Sequence, residues 1–225
     1  MNLPTKISPD RLRDSIIEIA FQPNMPEAVI GGVLYQSMSD RYTFINVSEM
    51  YREYLFIDDN TGVSFSLDEF NVITFNFFTD FYPGWAKYFS AVEMILGDIE
   101  KTGAFLTCNH LGLRYISDYE GIGLGDITKF NFTFGMPQTT SNSYQFSSEF
   151  KFDKFRVNLS LSHNFTESED PSEKRSIIDI DVQKKVSINK MSVLIEEIER
   201  AHKIQKRIFF STLNENFLKT LNPEY

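Results

Sequence analysis

The chain has 225 residues, of which 42% are hydrophobic, 15% aromatic and 24% charged, with a formal net charge of -9. That composition excludes a disordered chain, and the acidic balance works against non-specific attraction to nucleic acid phosphate, which needs clustered Lys and Arg. No run of about 18 apolar residues exists to span a bilayer, and the first ten residues lack the apolar stretch of a secretion signal. A cytoplasmic protein without membrane contact is therefore expected. The single cysteine, Cys108, cannot form an internal disulfide, which suits a reducing compartment.

The chain is long enough for one large domain or two small ones, burying about 70 to 75% of its unfolded surface. Its 22 phenylalanines fall mostly in alternating runs and so favour sheet. After a polar lead-in over residues 1 to 8, Ile16 to Phe21 forms a short strand candidate. Pro26 suits the first turn of a helix, in which Val29, Ile30, Val33, Leu34 and Met38 keep helical spacing. Gly31-Gly32 weakens that helix and marks a place where another element packs closely. Residues 41 to 60 are ambiguous between irregular structure and a short helix.

Beyond the turn at Asp58-Asp59-Asn60, Val63, Phe65 and Leu67 alternate with Ser64 and Ser66, and Val72 to Phe78 continues as the hairpin partner. Tyr82-Pro83-Gly84-Trp85 opens a second helix, whose stripe of Trp85, Tyr88, Phe89, Val92, Ile95, Leu96 and Ile99 ends at a Gly103 cap. Phe105 to Tyr119 should be a long central strand. Four more strand candidates follow, at Lys129 to Met136, Tyr144 to Phe152, Phe155 to His163 and Arg175 to Gln183. The acidic linker 166–174 reads as a solvated loop.

Asn189 is a good N-cap for a helix from Lys190 to Ser211, roughly 33 Å long at about 1.5 Å per residue. Thr212 with Glu215 forms a capping-box pattern for a second short helix. The whole reads as an α+β fold of mainly antiparallel sheet, covered by helices that include the long C-terminal one. Two strand-and-helix halves are expected, residues 1–103 and 104–225, which could also form one continuous domain.

Chemistry-bearing residues are sparse. His110, His163 and His202 sit on different elements without a second ligand at metal spacing, so a metal is not expected, nor any other cofactor. Cys108 and His110 share a strand face but stand about 7 Å apart along it, too far for direct proton transfer. Gly121-Ile122-Gly123-Leu124-Gly125-Asp126 imitates a phosphate loop, yet such loops need a helix N-terminus after the glycines and a strand is expected here.

The strongest enzyme pattern is Asp126 followed by Glu149-Phe150-Lys151. Metal-dependent nucleases place an Asp and a Glu-x-Lys on adjacent strands, where the carboxylates hold the ion and the lysine positions water. A weaker form is Asp181 with Gln183 and Lys185. Arg114, Asp179 and Asp181 fall on matching strand faces, so Arg114 should pair with one of the aspartates, either as a scaffold ion pair or as part of a binding site.

Several of these segments together resemble a sporadically distributed prokaryotic family of unknown function. They are Tyr82-Pro83-Gly84-Trp85, the core Leu111-Gly112-Leu113-Arg114-Tyr115-Ile116, Ile178-Asp179-Ile180-Asp181, the opening Ile16-Ile17-Glu18-Ile19-Ala20-Phe21, and the terminal helix running into Phe209, Leu213 and Leu218. The resemblance implies association with mobile or defence-related loci, and it assigns no catalytic residue. The leading expectation is a non-catalytic binding subunit, an antitoxin, immunity protein or accessory component acting on a protein partner encoded nearby, such as a toxin, nuclease or ATPase. The alternatives are a metal-dependent nuclease or phosphodiesterase using Asp126, Glu149 and Lys151, and a chaperone-like clamp. A homo-oligomer is compatible with each of them.

Overall fold

A computed structural model of the chain describes residues 3–48, 53–77, 82–130, 143–164 and 175–225. These contain nine strands and five helices: β1 (Leu12–Pro23), α1 (Glu27–Met38), β2 (Thr43–Ser48), β3 (Glu53–Asp58), β4 (Val63–Leu67), β5 (Val72–Phe77), α2 (Trp85–Thr102), β6 (Phe105–Glu120), α3 (Leu124–Ile127), β7 (Tyr144–Phe152), β8 (Phe155–Asn164), β9 (Arg175–Ile188), α4 (Met191–Thr212) and α5 (Glu215–Thr220). The strands hydrogen-bond in the order β2-β3-β4-β5-β1-β6-β9-β8-β7. The fold is thus α+β with an antiparallel sheet. Of the expected strand at Lys129 to Met136, Lys129 and Phe130 are described and are not in a strand, while residues 131–136 and the linker 166–174 lie outside the described residues.

The chain divides into two compact units that are not consecutive in sequence. One comprises Met1–Asp14, Arg114–Val182 and His202–Tyr225; the other comprises Ser15–Leu113 and Gln183–Ala201. This partition differs from the sequence-order division at Gly103. Each crossing falls inside an element, namely β1, β6, β9 and α4.

In the unit built on Ser15–Leu113, a row of apolar side chains runs across five strands because the registers align them. Phe44 faces Phe56, Phe56 faces Phe65, Phe65 faces Phe75, and Phe75 faces Ile17. The rings of Phe56 and Phe65 stack at 4.7 Å and 4°. Aromatic neighbours of this kind add about 0.5–1.5 kcal/mol beyond the area they bury. Within residues 41 to 60, Thr43–Ser48 and Glu53–Asp58 are the strands β2 and β3, neither the irregular structure nor the short helix expected. Apolar side chains there occupy both faces, with Phe56 buried but Ile45 42% exposed, so the period-two signal is blurred.

Helix α2 covers that row with Tyr88, Phe89, Val92, Ile95, Leu96 and Ile99. The Tyr88 hydroxyl aims its proton between the Ser15 and Phe75 carbonyls, at 3.0 and 3.1 Å. It thereby ties helix to strands at a buried polar point. Trp85 stacks on Phe89 at 4.7 Å and donates Nε1–H to Glu199 at 2.8 Å. Gly103 ends the helix in the left-handed conformation at φ 65, as its position in the sequence predicts.

The expected close approach at Gly31 is present. A Cβ there would meet the Tyr54 ring at 2.5 Å, whereas one at Gly32 would meet nothing within 4 Å. Gly31→Ala should cost about 1–3 kcal/mol by overpacking, offset only in part by helix propensity. Gly32→Ala should stabilise by about 0.5–1 kcal/mol. Chemical denaturation of the two variants checks the contrast, since propensity alone would move both in the same direction.

In the other unit, β7 and β8 form a hairpin joined by Asp153 and Lys154, both at positive φ (45 and 68). Two such residues match strand twist in the tightest hairpin turns. Tyr115 and Tyr119 of β6, Val157, Leu159 and Leu161 of β8, and Ile178 and Ile180 of β9 turn to the buried side. Ile204 and Ile208 of α4 and Phe217 of α5 are buried with them.

Helix α5 is capped by Asn214, whose side chain accepts from the Asn216 N–H. Thr212 does not fill that role, because its hydroxyl bonds back to the Ile208 carbonyl within α4 at 2.9 Å. The glycine-rich stretch at 121–125 is followed by the four-residue helix α3 rather than by a strand. The Thr128 hydroxyl closes it on the Leu124 carbonyl at 2.9 Å.

His202 of α4 sits with Nδ1 3.3 Å from the Tyr115 hydroxyl. Burial, with the neighbouring charges of Lys206 and Lys203, pushes its pKa down from 6.5 to about 3. Below pH 6.5 the unfolded chain takes up a proton that the folded chain refuses until about pH 3, so stability falls as pH drops through that window. The maximum slope is about 1.4 kcal/mol per pH unit. His202→Gln should flatten the pH dependence of the unfolding midpoint by one proton's worth between pH 6 and 4, measured by urea titration at each pH. An unchanged slope would assign the acid sensitivity to the carboxylates.

Candidate functional site

The residues that carry charge outward in the unit containing Arg114–Val182 share one strand parity. Along β6, Leu113, Tyr115, Ser117 and Tyr119 are buried, while Arg114, Asp118 and Glu120 lie on the opposite face. β9 continues the pattern with Ser176, Ile178 and Ile180 buried and Arg175, Ile177 and Asp179 opposite. On β8 and β7 the same parity carries Arg156, Asn158, Ser160 and Ser162, then Gln145, Ser147, Glu149 and Lys151. The helices of this unit pack on the apolar parity, as the contacts Tyr115–His202, Tyr119–Phe217 and Arg207–Phe152 show. Among the described residues, no helix contact of this kind falls on the polar parity, which forms the open outer face.

Two clusters organise it. Arg114 donates Nε–H and Nη2–H to the two oxygens of Asp179 at 2.9 and 2.7 Å, a bidentate pair with one of the two aspartates that strand parity offered it. Asp181 lies two residues further along β9, half-buried, while Gln183 is half-buried and Lys185 exposed. The second cluster centres on Asp118, whose side chain is only 7% exposed. It accepts from Arg13 Nη1 at 3.2 Å and from Arg175 Nε at 2.9 Å. Arg175 Nη2 also donates to Glu120 at 3.1 Å. Sequence reasoning missed this cluster, although the shared parity of Arg114, Asp118 and Glu120 is a usable signal.

Between the clusters and β7 lies a groove of about 490 Å3, lined among others by Arg13, Arg114, Asp179, Ser160, Ser162 and Gln145. Ile116 and Ile177 supply its apolar part. Gln145 Nε2–H donates to the Ser160 hydroxyl at 3.0 Å. The groove is within the size range of small-molecule sites, and its lining mixes polar and apolar surface.

The nuclease constellation does not assemble on adjacent strands. Asp126 lies on α3, and two strands, β9 and β8, stand between β6 and β7 in the sheet. Glu149 pairs with Arg156 Nη2 at 2.5 Å on β8. Lys151 faces Arg156 across the hairpin, so two cations stand where a cation site would need carboxylate. Among the described residues no group of three His, Cys, Asp or Glu side chains is placed to hold a metal ion.

The nucleophile candidates point elsewhere. Cys108 donates its thiol proton to the His110 carbonyl at 3.3 Å, and burial pushes its pKa up to about 12. A second pair, not anticipated, brings His163 Nδ1 within 2.9 Å of the Ser176 hydroxyl. Ser176 donates its own proton to the Ile122 carbonyl at 2.8 Å. His163 must therefore be the donor to Ser176, the reverse of the arrangement in which an imidazole removes a serine proton. Both side chains are buried, so the pair fixes β8, β9 and the segment before α3 rather than meeting a substrate.

No helix among the described residues is long and apolar enough to cross a membrane. No family model matches the sequence, and no curated protein matches it. The ion pair at the groove is open to a direct measurement. With Arg114 48% and Asp179 20% exposed, solvent screening limits their coupling to about 0.5–1 kcal/mol. A double-mutant cycle with Arg114→Met and Asp179→Asn should return that value and shrink with added salt, whereas coupling above about 3 kcal/mol would mark a truly desolvated pair.

Proposed function

We propose that the protein is a non-catalytic binding subunit that works through a protein partner, as an antitoxin, immunity protein or accessory component of a prokaryotic defence or mobile-element system. The observation that carries binding over chemistry is the pairing of the polar groups. Arginines on the open face are held by carboxylates, and the two thiol or hydroxyl groups near imidazoles give their protons to backbone carbonyls. No side chain in these pairs is poised as a nucleophile with a base.

A broad face of short polar side chains, oriented by cross-strand ion pairs, suits recognition of another macromolecule. Fixed charges steer encounter and reject wrong partners more than they add affinity. The net charge of -9 favours a partner with a basic surface. The family resemblance supplies the defence or mobile-locus setting, in which a toxin, nuclease or ATPase encoded beside this chain is the expected partner.

The test is capture of partners from the native host with the intact chain, beside two variants on the exposed face of β7, Ser147→Arg and Glu149→Lys. A specific partner should be retained by the unmodified chain and lost at least tenfold by both variants, with circular dichroism unchanged. Recovery of the chain alone, or of proteins held equally by all three forms, would overturn the proposal.

A further inference from the structure

We infer that the outward side of α4 in the unit containing Arg114–Val182 is a docking stripe for a short acidic segment of a protein partner. Helical spacing and burial define it. Ile204, Gln205, Ile208 and Phe209 are buried, while Lys203, Lys206 and Arg207 lie on the opposite side, Lys203 and Arg207 exposed and Lys206 half-buried. Lys129 adds a fourth charge near the end of the helix, where its Nζ–H donates to the Ser211 carbonyl at 3.2 Å.

Among the described residues none of these four cations has a carboxylate partner, and no residue from Arg200 to Asn214 is acidic. The sheet side of the same unit is the opposite case, since Arg13, Arg114, Arg156 and Arg175 are each matched by Asp or Glu. The helix itself gains little from its cations. Attraction to the helix dipole is confined to the last turn, which holds no basic residue. Lys203 stands three residues from Lys206 and four from Arg207, so as like charges they oppose the helix by about 0.2–0.5 kcal/mol per pair. Their charge also reaches inward, because after burial it is Lys206 and Lys203 that hold down the pKa of His202. The Arg207 guanidinium lies over the Phe152 ring at 5.2 Å, which orients it without neutralising it.

Spacing selects the form of the anion. Lys203, Arg207 and Ser211, whose carbonyl holds Lys129, follow one another at four-residue intervals, about 6 Å each at about 1.5 Å per residue. Alternate residues of an extended chain recur on one side about every 6.5 Å. A strand-like segment with Asp or Glu at every second position therefore sets its carboxylates opposite the cations. A nucleic acid strand also carries evenly spaced anions, but it runs on past a stripe about 12 Å long and meets a chain of net charge -9, whereas a short segment ends with the stripe. An apolar partner would desolvate the ammonium groups without replacing their water. The stripe lies on the helix side of the unit, away from the sheet face invoked for partner binding, and does not depend on that reading.

The experiment is fluorescence anisotropy of the intact chain with a labelled peptide of about seven residues in which Glu alternates with Ser, beside a peptide with Lys in place of Glu and a thymidine oligonucleotide of similar length. It is repeated on Lys203→Glu, Arg207→Glu and the control Lys219→Glu, an exposed position on α5 where the change in net charge is the same. Saturable binding of the acidic peptide is expected, weakened about tenfold or more by each α4 variant, held within about twofold by the control, and reduced by added salt. No saturable binding of that peptide, equal loss in all three variants, or tighter binding of the basic peptide or the oligonucleotide would overturn the inference. Circular dichroism checks the fold of each variant. If a charge reversal unfolds the chain, Lys203→Gln decides in its place, with weaker peptide binding expected and unchanged binding counting against the stripe. No host partner takes part, so failure here is separable from failure of partner capture.

Discussion

A carboxylate that is 7% exposed must be paired, and Asp118 is paired twice, by Arg13 of β1 and Arg175 of β9. This constraint sets much of what surrounds it. Placing Asp118 on the open face fixes the parity of β6, which turns Tyr115 and Tyr119 to the buried side and Arg114 outward. A slip of one residue would bury Arg114 and Glu120 and expose the tyrosines, so the ion cluster and the apolar contacts specify the same register. Removing one partner would leave a nearly buried charge short of donors, which costs more than the pair contributes when intact. The cluster is better understood as a register device than as a source of net stability.

The chemistry follows from the same arrangement. Arginines held by neighbouring carboxylates are poor general acids and cannot act as bases, but they are well-oriented donors. Hydroxyls that donate to backbone carbonyls are similarly unavailable as nucleophiles. Among the described residues, these polar groups are thus paired with one another or with the backbone. The protein's groove of about 490 Å3 is a feature of a sheet face rather than of a cleft between helices.

Much of the fold was legible because alternation is a strong signal where one face is buried and the other wet. β7 and β8 match their expected extents within one residue, and α2 runs from Trp85 to its Gly103 cap. β2 and β3 were obscured because Ile45, Leu55 and Ile57 put apolar side chains on the face where polar ones were expected. The cap of α5 was misplaced because Thr212 had a better acceptor inside its own helix. At the candidate site, the Arg114–Asp179 pair could be read from parity within two strands. The Arg13–Asp118–Arg175 cluster could not, since it requires the sheet order, and residues 105 and 57 apart in sequence meet there. The His163–Ser176 contact was equally hidden.

The partition into two units bears on how the molecule is made. The unit that begins at Ser15 is completed only by Gln183–Ala201, and the other only by His202–Tyr225. On the ribosome, Ser15–Leu113 must wait for Gln183–Ala201, and Arg114–Val182 for His202–Tyr225, before its unit has all its parts. β6 must wait for β9 with one edge unpaired, a state in which apolar strands invite aggregation. Nascent chains of this protein should therefore depend on chaperones that shield half-built sheets until the later segment of each unit has been made.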